Sequence, residues 1–590
     1  MSHGQTSAEP AARHSLGEIA RLLREQGFEP QLCGRVPGAE EGRTEYLRGA
    51  VTDSREAAAD LLFVARRGEE QDGHAYIEAA YGQGCRNFLV SQDWLARQGR
   101  PSATGSTGAI RSEASFIAVT GSTEEALFAW ARFYRLSLSR LFVVALSGSH
   151  GKTGTKELLG RMLGRRYRCH ITAGNRNAPV GCALTILGIA PETEIAILEL
   201  GIDHPGEMDL LCSLSSPNAA LLTGIGSAHL GGFSSQAELA REKARIYAQL
   251  QPGLRHPAEG AESGTAPAPM AFLPAEDRFL AALRREIRPG SREVLYSAEL
   301  AQEKGYTAED RGLEGLRFRS GEWHCDVSLL GLHTRQMFWA AATVAENLGL
   351  SVPEIFAGAR DYRPLFGRGE LLLRHLPEAQ AEAGEPRPVR LLQDCYNASP
   401  ESLYALIQML QAWRQNGLAP PCVLVLADML ELGTFSAECH RKVAELLQTL
   451  FCAPLKQEQK QQEEHGQVSP IFVFLYGKEM DSAWHQLQQL QKREAAPSSS
   501  GAGEIDPGET DQSSRGLHEI GSREQCAGTG CAYVTDEAEL ARAVERQLRQ
   551  VACVAQKGAG RDKGPLSVPL LVLKGARAMY LEKIAQKILL

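Results

Sequence analysis

The stretch "FVVALSGSHGKTGTKELLGRML", residues 142–163, sets an apolar run, a glycine-bracketed turn and an amphipathic tail side by side. It reads as a buried strand that enters a loop at Gly148, turns through Ser149, His150 and Gly151, and leaves as a helix beginning near Lys152. Leu158, Leu159, Met162 and Leu163 share one face of that helix. A turn of this kind aims backbone N–H groups and a helix N-terminus at one point, where an anionic phosphate is favoured. Lys152 is then placed to reach β- and γ-phosphates, and Thr153 to bring its hydroxyl to Mg²⁺. The general signature G-x-x-x-x-G-K-[ST] needs a glycine at 146, where the chain has Leu146, so the match is the shorter G-x-x-G-K-T. A plain glycine turn ahead of a helix is the alternative reading of the same residues.

Working outward, the same alternation recurs. Apolar runs at 195–200, 219–225, 423–428, 471–477 and 570–575 read as buried parallel strands. The segment 399–417 reads as a helix with Pro400 at its start and Gly417 just past its end. Strand and helix in alternation imply α/β domains with mainly parallel sheets, whose ligands bind beyond the carboxyl ends of the strands. At 590 residues the chain exceeds one hydrophobic core, and roughly 150 residues per domain suggests three or four units.

The composition narrows the partners. A formal net charge of −8 gives no reason to expect nucleic acid. The N-terminus lacks a basic flank followed by an apolar run, and no window approaches the roughly 18 apolar residues of a membrane span. The 13 cysteines form no C-x-x-C pair, which fits reduced thiols in a cytosolic protein. Gly-, Pro-, Ser- and charge-rich tracts at 101–115, 252–269, 377–388, 456–467, 493–531 and 556–564 read as surface insertions.

Glu199 ends one apolar run and His229 follows another by a few residues, positions where α/β sheets site metal and substrate chemistry. Each alone reads equally well as a cap or loop residue. Together with the shortened phosphate loop, "GNRN" (174–177), "AHL" (228–230) and "REKARIY" (241–247), they resemble in order the Mur ligases, ATP-dependent amide-forming enzymes of peptidoglycan synthesis. "TDSR" (52–55), "DGHAYIEAA" (72–80), "HPGEMDLL" (204–211), "DCYNASPESL" (394–403), "LADMLELG" (426–433) and "KGAR" (574–577) point to the branch that joins D-alanyl-D-alanine to UDP-N-acetylmuramoyl-tripeptide.

The resemblance implies three α/β domains after a disordered 1–15: a UDP-sugar-binding domain at 16–122, a central P-loop-type ATPase domain at 123–355, and a dinucleotide-fold-like domain at 356–590 with insertions near 377–388, 456–467 and 493–531. It implies ATP and two Mg²⁺ ions, a cytoplasmic monomer, and no nucleic-acid or membrane partner. By carry-over, Gly148 to Gly154 (with Ser149, His150, Gly151, Lys152 and Thr153 between) hold phosphates, and Thr153, Glu199, His229 and Lys243 serve the metals. Lys243 matches a lysine carbamylated by CO₂, although in isolation it reads as an exposed helical lysine. His333, Thr334, Arg368 and Asp394 match nucleotide-facing positions. Asp53, Ser54 and Arg55 match the UDP-recognising motif, whose bland counterpart is a turn with a surface arginine. Asn175 and Asn177 match the muramoyl-peptide segment. Asn397, Asp428 and Glu431 are contacts for the dipeptide or the closed interface, or equally strand-end caps.

Four positions depart from the family pattern. Thr334 and Met337 replace asparagines that serve adenine, so looser nucleotide selectivity is expected; Gly154 stands for a threonine and Ala576 for a serine. Two alternatives stay open at this level: a related ligase for another amino acid, and a non-catalytic paralogue that binds UDP-muramoyl peptides.

Overall fold

In the computed structural model the residues described are 14–35, 46–68, 71–98, 110, 113–228, 230–253, 268–377, 387–452, 470–495, 518–521, 530–558 and 568–589. His229 and most of the six insertion tracts lie outside them. Three sheet-centred units follow one another along the chain.

The strand Phe142–Ser147 is buried at every residue and pairs in parallel with Ile195–Glu199 on one side and Ala219–Leu222 on the other. Residues apolar on both faces suit such a central position, because helices cover both sides of the sheet. The full order is Arg292–Tyr296, Met270–Pro274, Ala219–Leu222, Phe142–Ser147, Ile195–Glu199, Cys169–Ile171, all parallel. Phe142–Ser147 is therefore flanked by strands that follow it in opposite directions, which opens a crevice at its carboxyl end. The helix Lys152–Leu163 packs Leu158, Leu159, Met162 and Leu163 against one face of this sheet, all four without solvent exposure. Full burial of each such side chain is worth about 1.5–3 kcal/mol.

The N-terminal sheet runs Gln31–Gly34, Ser115–Val119, Asn87–Ser91, Leu61–Val64, Gly49–Val51, antiparallel only at its first pair. The helix Thr123–Ser137, capped by Ser122 on the Glu125 N–H, packs on the helices Leu16–Glu25 and Pro179–Leu187 and merges the two cores. The C-terminal sheet has parallel strands Arg387–Asp394, Leu570–Lys574, Cys422–Ala427, Ile471–Tyr476 and Gly530–Val534, with an antiparallel strand at each edge. The helix on 399–417 spans Pro400–Gln415, with Ser399 capping and Gly417 in the left-handed region at φ 70°. The boundary expected at 355 falls inside the helix Val352–Arg360, which packs on Lys152–Leu163 and so goes with the central unit. Cys169, Cys182, Cys212 and Cys422 are free thiols, and no helix among the described residues is long and apolar enough to cross a membrane.

Candidate active site

The loop after Phe142–Ser147 is shaped by two glycines. Gly148 has φ 142°, and any side chain there would run into Thr223 Oγ1; Gly151 has φ 72° and caps the helix that starts at Lys152. The loop is stapled to the neighbouring strand end by Ser149 N–H donating to the Gly224 carbonyl (2.8 Å) and Thr223 Oγ1 donating to the His150 carbonyl (2.5 Å). The first N–H groups of the helix have no partner within it, and Gly151 to Gly154 line the crevice. Lys152 Nζ donates to the Gly148 carbonyl (2.8 Å), and burial lowers its pKa, opposed by the Glu199 charge.

Glu199, at the carboxyl end of its strand, is 2% exposed. Thr153 Oγ1 donates to Oε2 (3.0 Å) and Asn177 Nδ2 to Oε1 (2.9 Å), so three segments converge on one carboxylate. Thr153 and Glu199 form an oxygen donor set, the kind Mg²⁺ accepts through one or two protein oxygens while keeping water and phosphate ligands. No cluster of three His, Cys, Asp or Glu is found among the described residues.

Lys243 is fully buried on the helix Gln236–Ala248, and its Nζ has no hydrogen-bond partner among the described residues. Burial drives its pKa well below the ordinary lysine value, and the Lys152 charge adds to the shift. The exposed-lysine reading is thus excluded. Its neighbour Glu242 anchors the helix by accepting from the Gly206 and Met208 N–H groups (2.8 and 3.2 Å).

A cavity of about 960 Å³ joins the phosphate loop and Glu199 to the C-terminal domain, and Lys243 is not among the residues that line it. Ser149 to Gly154, Asn175, Asn177, Glu199, His333 and Thr334 line one side; Arg368, Asp394 and Asn397 line the other. Arg368 stacks on Tyr396 at 4.2 Å, and Asp394 pairs with buried Lys574 at 2.7 Å. The domains touch where Ser227 N–H donates to Glu401 (2.8 Å) and Gly231 N–H to the Glu431 carbonyl (3.0 Å), Glu431 itself being left-handed at φ 62°.

Other expected residues do not reach this cavity. Asp428 accepts from the Glu479 and Met480 N–H groups (3.2 and 2.9 Å), which is the capping alternative. Asp53, Ser54 and Arg55 lie in the N-terminal unit, where Arg55 pairs with Asp53; the nearest link is the ion pair of Glu56 with Arg176, inside the "GNRN" segment. Lys156, Glu401 and Asp277, which lines the cavity and accepts from the Ile225 N–H (2.8 Å), escaped the sequence reading. Lys156 shares its helix face with Leu159 and Leu163, and that apolar setting was the available signal. Two of the departures prove to be one: a Cβ on Gly154 would lie 2.5 Å from Met337 Sδ, so the missing threonine makes room for the methionine.

The Mur ligase middle domain family matches residues 146–345. The UDP-N-acetylmuramoyl-tripeptide–D-alanyl-D-alanine ligase of Treponema pallidum is 31% identical over 423 residues, 70% of this chain and 82% of its own. The Escherichia coli ligase of that name is also 31% identical, over 421 residues, with the same coverage. Among solved structures, MurF from Acinetobacter baumannii aligns over 97% of this chain and 98% of its own, with TM-score 0.65 and 21% identity. MurF from Thermotoga maritima in complex with ADP aligns over 91% and 96%, with TM-score 0.57 and 20% identity.

Proposed function

The chain belongs to the Mur ligase family, ATP-dependent enzymes that use Mg²⁺ and form C–N bonds, and from that premise we propose that it joins D-alanyl-D-alanine to UDP-N-acetylmuramoyl-tripeptide in the cytoplasm as a monomer. The observation that carries this reading is the single cavity in which the phosphate loop, Asn177 and Glu199 face Arg368, Asp394 and Asn397 of the next domain.

A carboxylate is a poor electrophile. Transfer of the γ-phosphoryl group of ATP to the tripeptide carboxylate gives an acyl phosphate and ADP. Attack by the dipeptide amine then forms the amide, releasing phosphate and a proton. Two anions must meet for the first step, so fixed positive charge and aimed donors are required. Lys152 and the N–H groups beyond Gly151 bind the phosphates; Lys152 exchanges its bond to the Gly148 carbonyl for one to phosphate. Thr153 and Glu199 would hold Mg²⁺, which offsets charge on the phosphates when bound. Asn175 and Asn177 orient the peptide carboxylate, Asp53, Ser54 and Arg55 the uridine end, and His333, Thr334, Arg368 and Asp394 the nucleotide. Asn397 faces the dipeptide. Glu431 acts on the closed interface through its carbonyl, and Asp428 keeps its capping role. Contact between the domains excludes water from the acyl phosphate.

Lys243 suits the carbamate of the family's modified lysine. Its depressed basicity favours the neutral amine, which adds to CO₂ and loses one proton to become an anion able to hold a second Mg²⁺. His229 is assigned to the metals by carry-over alone.

Purified protein with ATP, Mg²⁺ and UDP-muramoyl-tripeptide should release phosphate when D-alanyl-D-alanine is added, with a product of matching mass. Release with another amine and never with this dipeptide would shift the assignment to a sister ligase, and no turnover with any amine would leave a binding protein.

A further inference from the structure

Lys156 lies one turn beyond Lys152, and nothing above gives it a task. Its side chain has no solvent exposure. Nζ donates to the carbonyls of Thr172 (2.6 Å) and Gly174 (3.0 Å), and stands 3.5 Å from Glu199 Oε2 and 3.4 Å from Glu157 Oε1. A cation so enclosed is tolerable only when paired and hydrogen-bonded. Its partners share a second feature: they belong to the segment that orients Glu199. Thr172 gives its carbonyl to Lys156 and its hydroxyl oxygen to the Glu199 N–H (3.0 Å); five residues on, Asn177 donates to Glu199 Oε1. Arg176, between them, pairs with Glu56 of the N-terminal unit.

The geometry points to Lys156 as a positioning residue for the carboxylate that would hold the divalent cation. It straps residues 172–174 to the phosphate-loop helix so that Asn177 and Thr153 converge on Glu199. It also sets an ammonium group beside that carboxylate, which offsets it when no dication is bound and opposes one that arrives. The inference rests on the reading of Glu199 as a Mg²⁺ ligand and is independent of which amine the enzyme ligates.

The test is thermal unfolding of the full chain across a titration of Mg²⁺ alone, without nucleotide. Lys156→Gln keeps a donor for the two carbonyls and removes the charge. Without Mg²⁺ it should melt several degrees below the wild type. Its half-saturating Mg²⁺ concentration should fall about three- to tenfold, because a like charge beside the site is gone. Adding Glu199→Gln should abolish the Mg²⁺ response and cost less than the sum of the two single changes. An equal loss in melting temperature at every Mg²⁺ concentration, with unchanged or absent half-saturation, would mean a purely structural lysine and overturns the inference. If Lys156→Gln does not fold, Lys156→Arg decides: with the charge kept, half-saturation should match the wild type, and a shift beyond about threefold overturns it. Amine-dependent phosphate release stands or falls separately.

Discussion

Two short polar motifs follow strand ends in this molecule, and they are built in opposite ways. Around Glu199 the contacts come from two segments distant in sequence: Thr153 and, one turn deeper, Lys156 from the loop helix, and Asn177 from a neighbouring turn. After the strand Gly49–Val51, Arg55 folds back on Asp53 and leaves 87% of its own side chain in solvent. The first arrangement is fixed by the fold before any ligand arrives. The second is a local pair whose geometry a ligand is free to change, since exposed ion pairs hold little energy.

The comparison breaks most visibly at Lys152. Lys152→Ala should cut phosphate release at least about 10³-fold, the scale expected of a fixed charge at a transferring phosphoryl group. Melting temperature should move little, because among the described residues the bond lost is a single one, to the Gly148 carbonyl. Activity within tenfold of the wild type in the phosphate-release assay would show that the cradle is not where ATP reacts.

Next in size is the fit between Gly154 and Met337. Gly154→Thr puts a Cβ 2.5 Å from Met337 Sδ, and overpacking of this kind costs about 1–3 kcal/mol. Met337→Asn in the same chain should recover most of the loss, since asparagine lacks the thioether. Denaturant unfolding of the two single variants and the double variant measures the coupling. Additive costs would mean that the buried side is more compliant than the network around Glu199 suggests.

The same contrast explains what the sequence made legible. The phosphate loop was readable because Gly148 and Gly151 answer a backbone demand and the flanking strand and helix obey their periods. Resemblance supplied Asn177, Arg368 and Asp394, whose convergence depends on contacts between distant segments that no spacing encodes. Lys156 was hidden for a physical reason: a lysine on an apolar helix face can snorkel outward or be buried against carbonyls, and only the position of residues 172–174 decides. Lys243 shows the cost of judging by neighbours, since a charge-rich helix still turns that one residue fully inward. Asp428 had two readings of equal weight, and the cap on Glu479 and Met480 is the one its contacts follow.

Lys243 also sharpens the buried side through pH. Its folded pKa is depressed by burial, while the unfolded lysine titrates near ~10.4. Between those values the unfolded chain binds one more proton, so stability rises with pH, by up to about 1.4 kcal/mol per unit. In CO₂-free buffer, Lys243→Met should remove that part of the slope between pH 7 and 9, with the Lys152 contribution left in both proteins. Parallel stability curves for the two proteins would place the Lys243 amine in water rather than in the core.

The smallest effect belongs to the exposed motif, and it tests the other half of the contrast. Arg55→Ala removes a side chain whose hydrogen bonds among the described residues all go to Asp53. The Asp53 carboxyl, held down to about 2 by its bonds to Arg55, stays ionised near neutrality with or without the arginine. Stability at neutral pH should therefore hardly change. If the motif reads the uridine diphosphate, KM for the UDP-muramoyl-tripeptide should rise about five- to tenfold with kcat unchanged, the signature of lost uniform binding. A fall in kcat at unchanged KM would tie Arg55 to the reacting centre through Glu56 and Arg176, and the line between a site set by the fold and one set by its ligand would have to be redrawn.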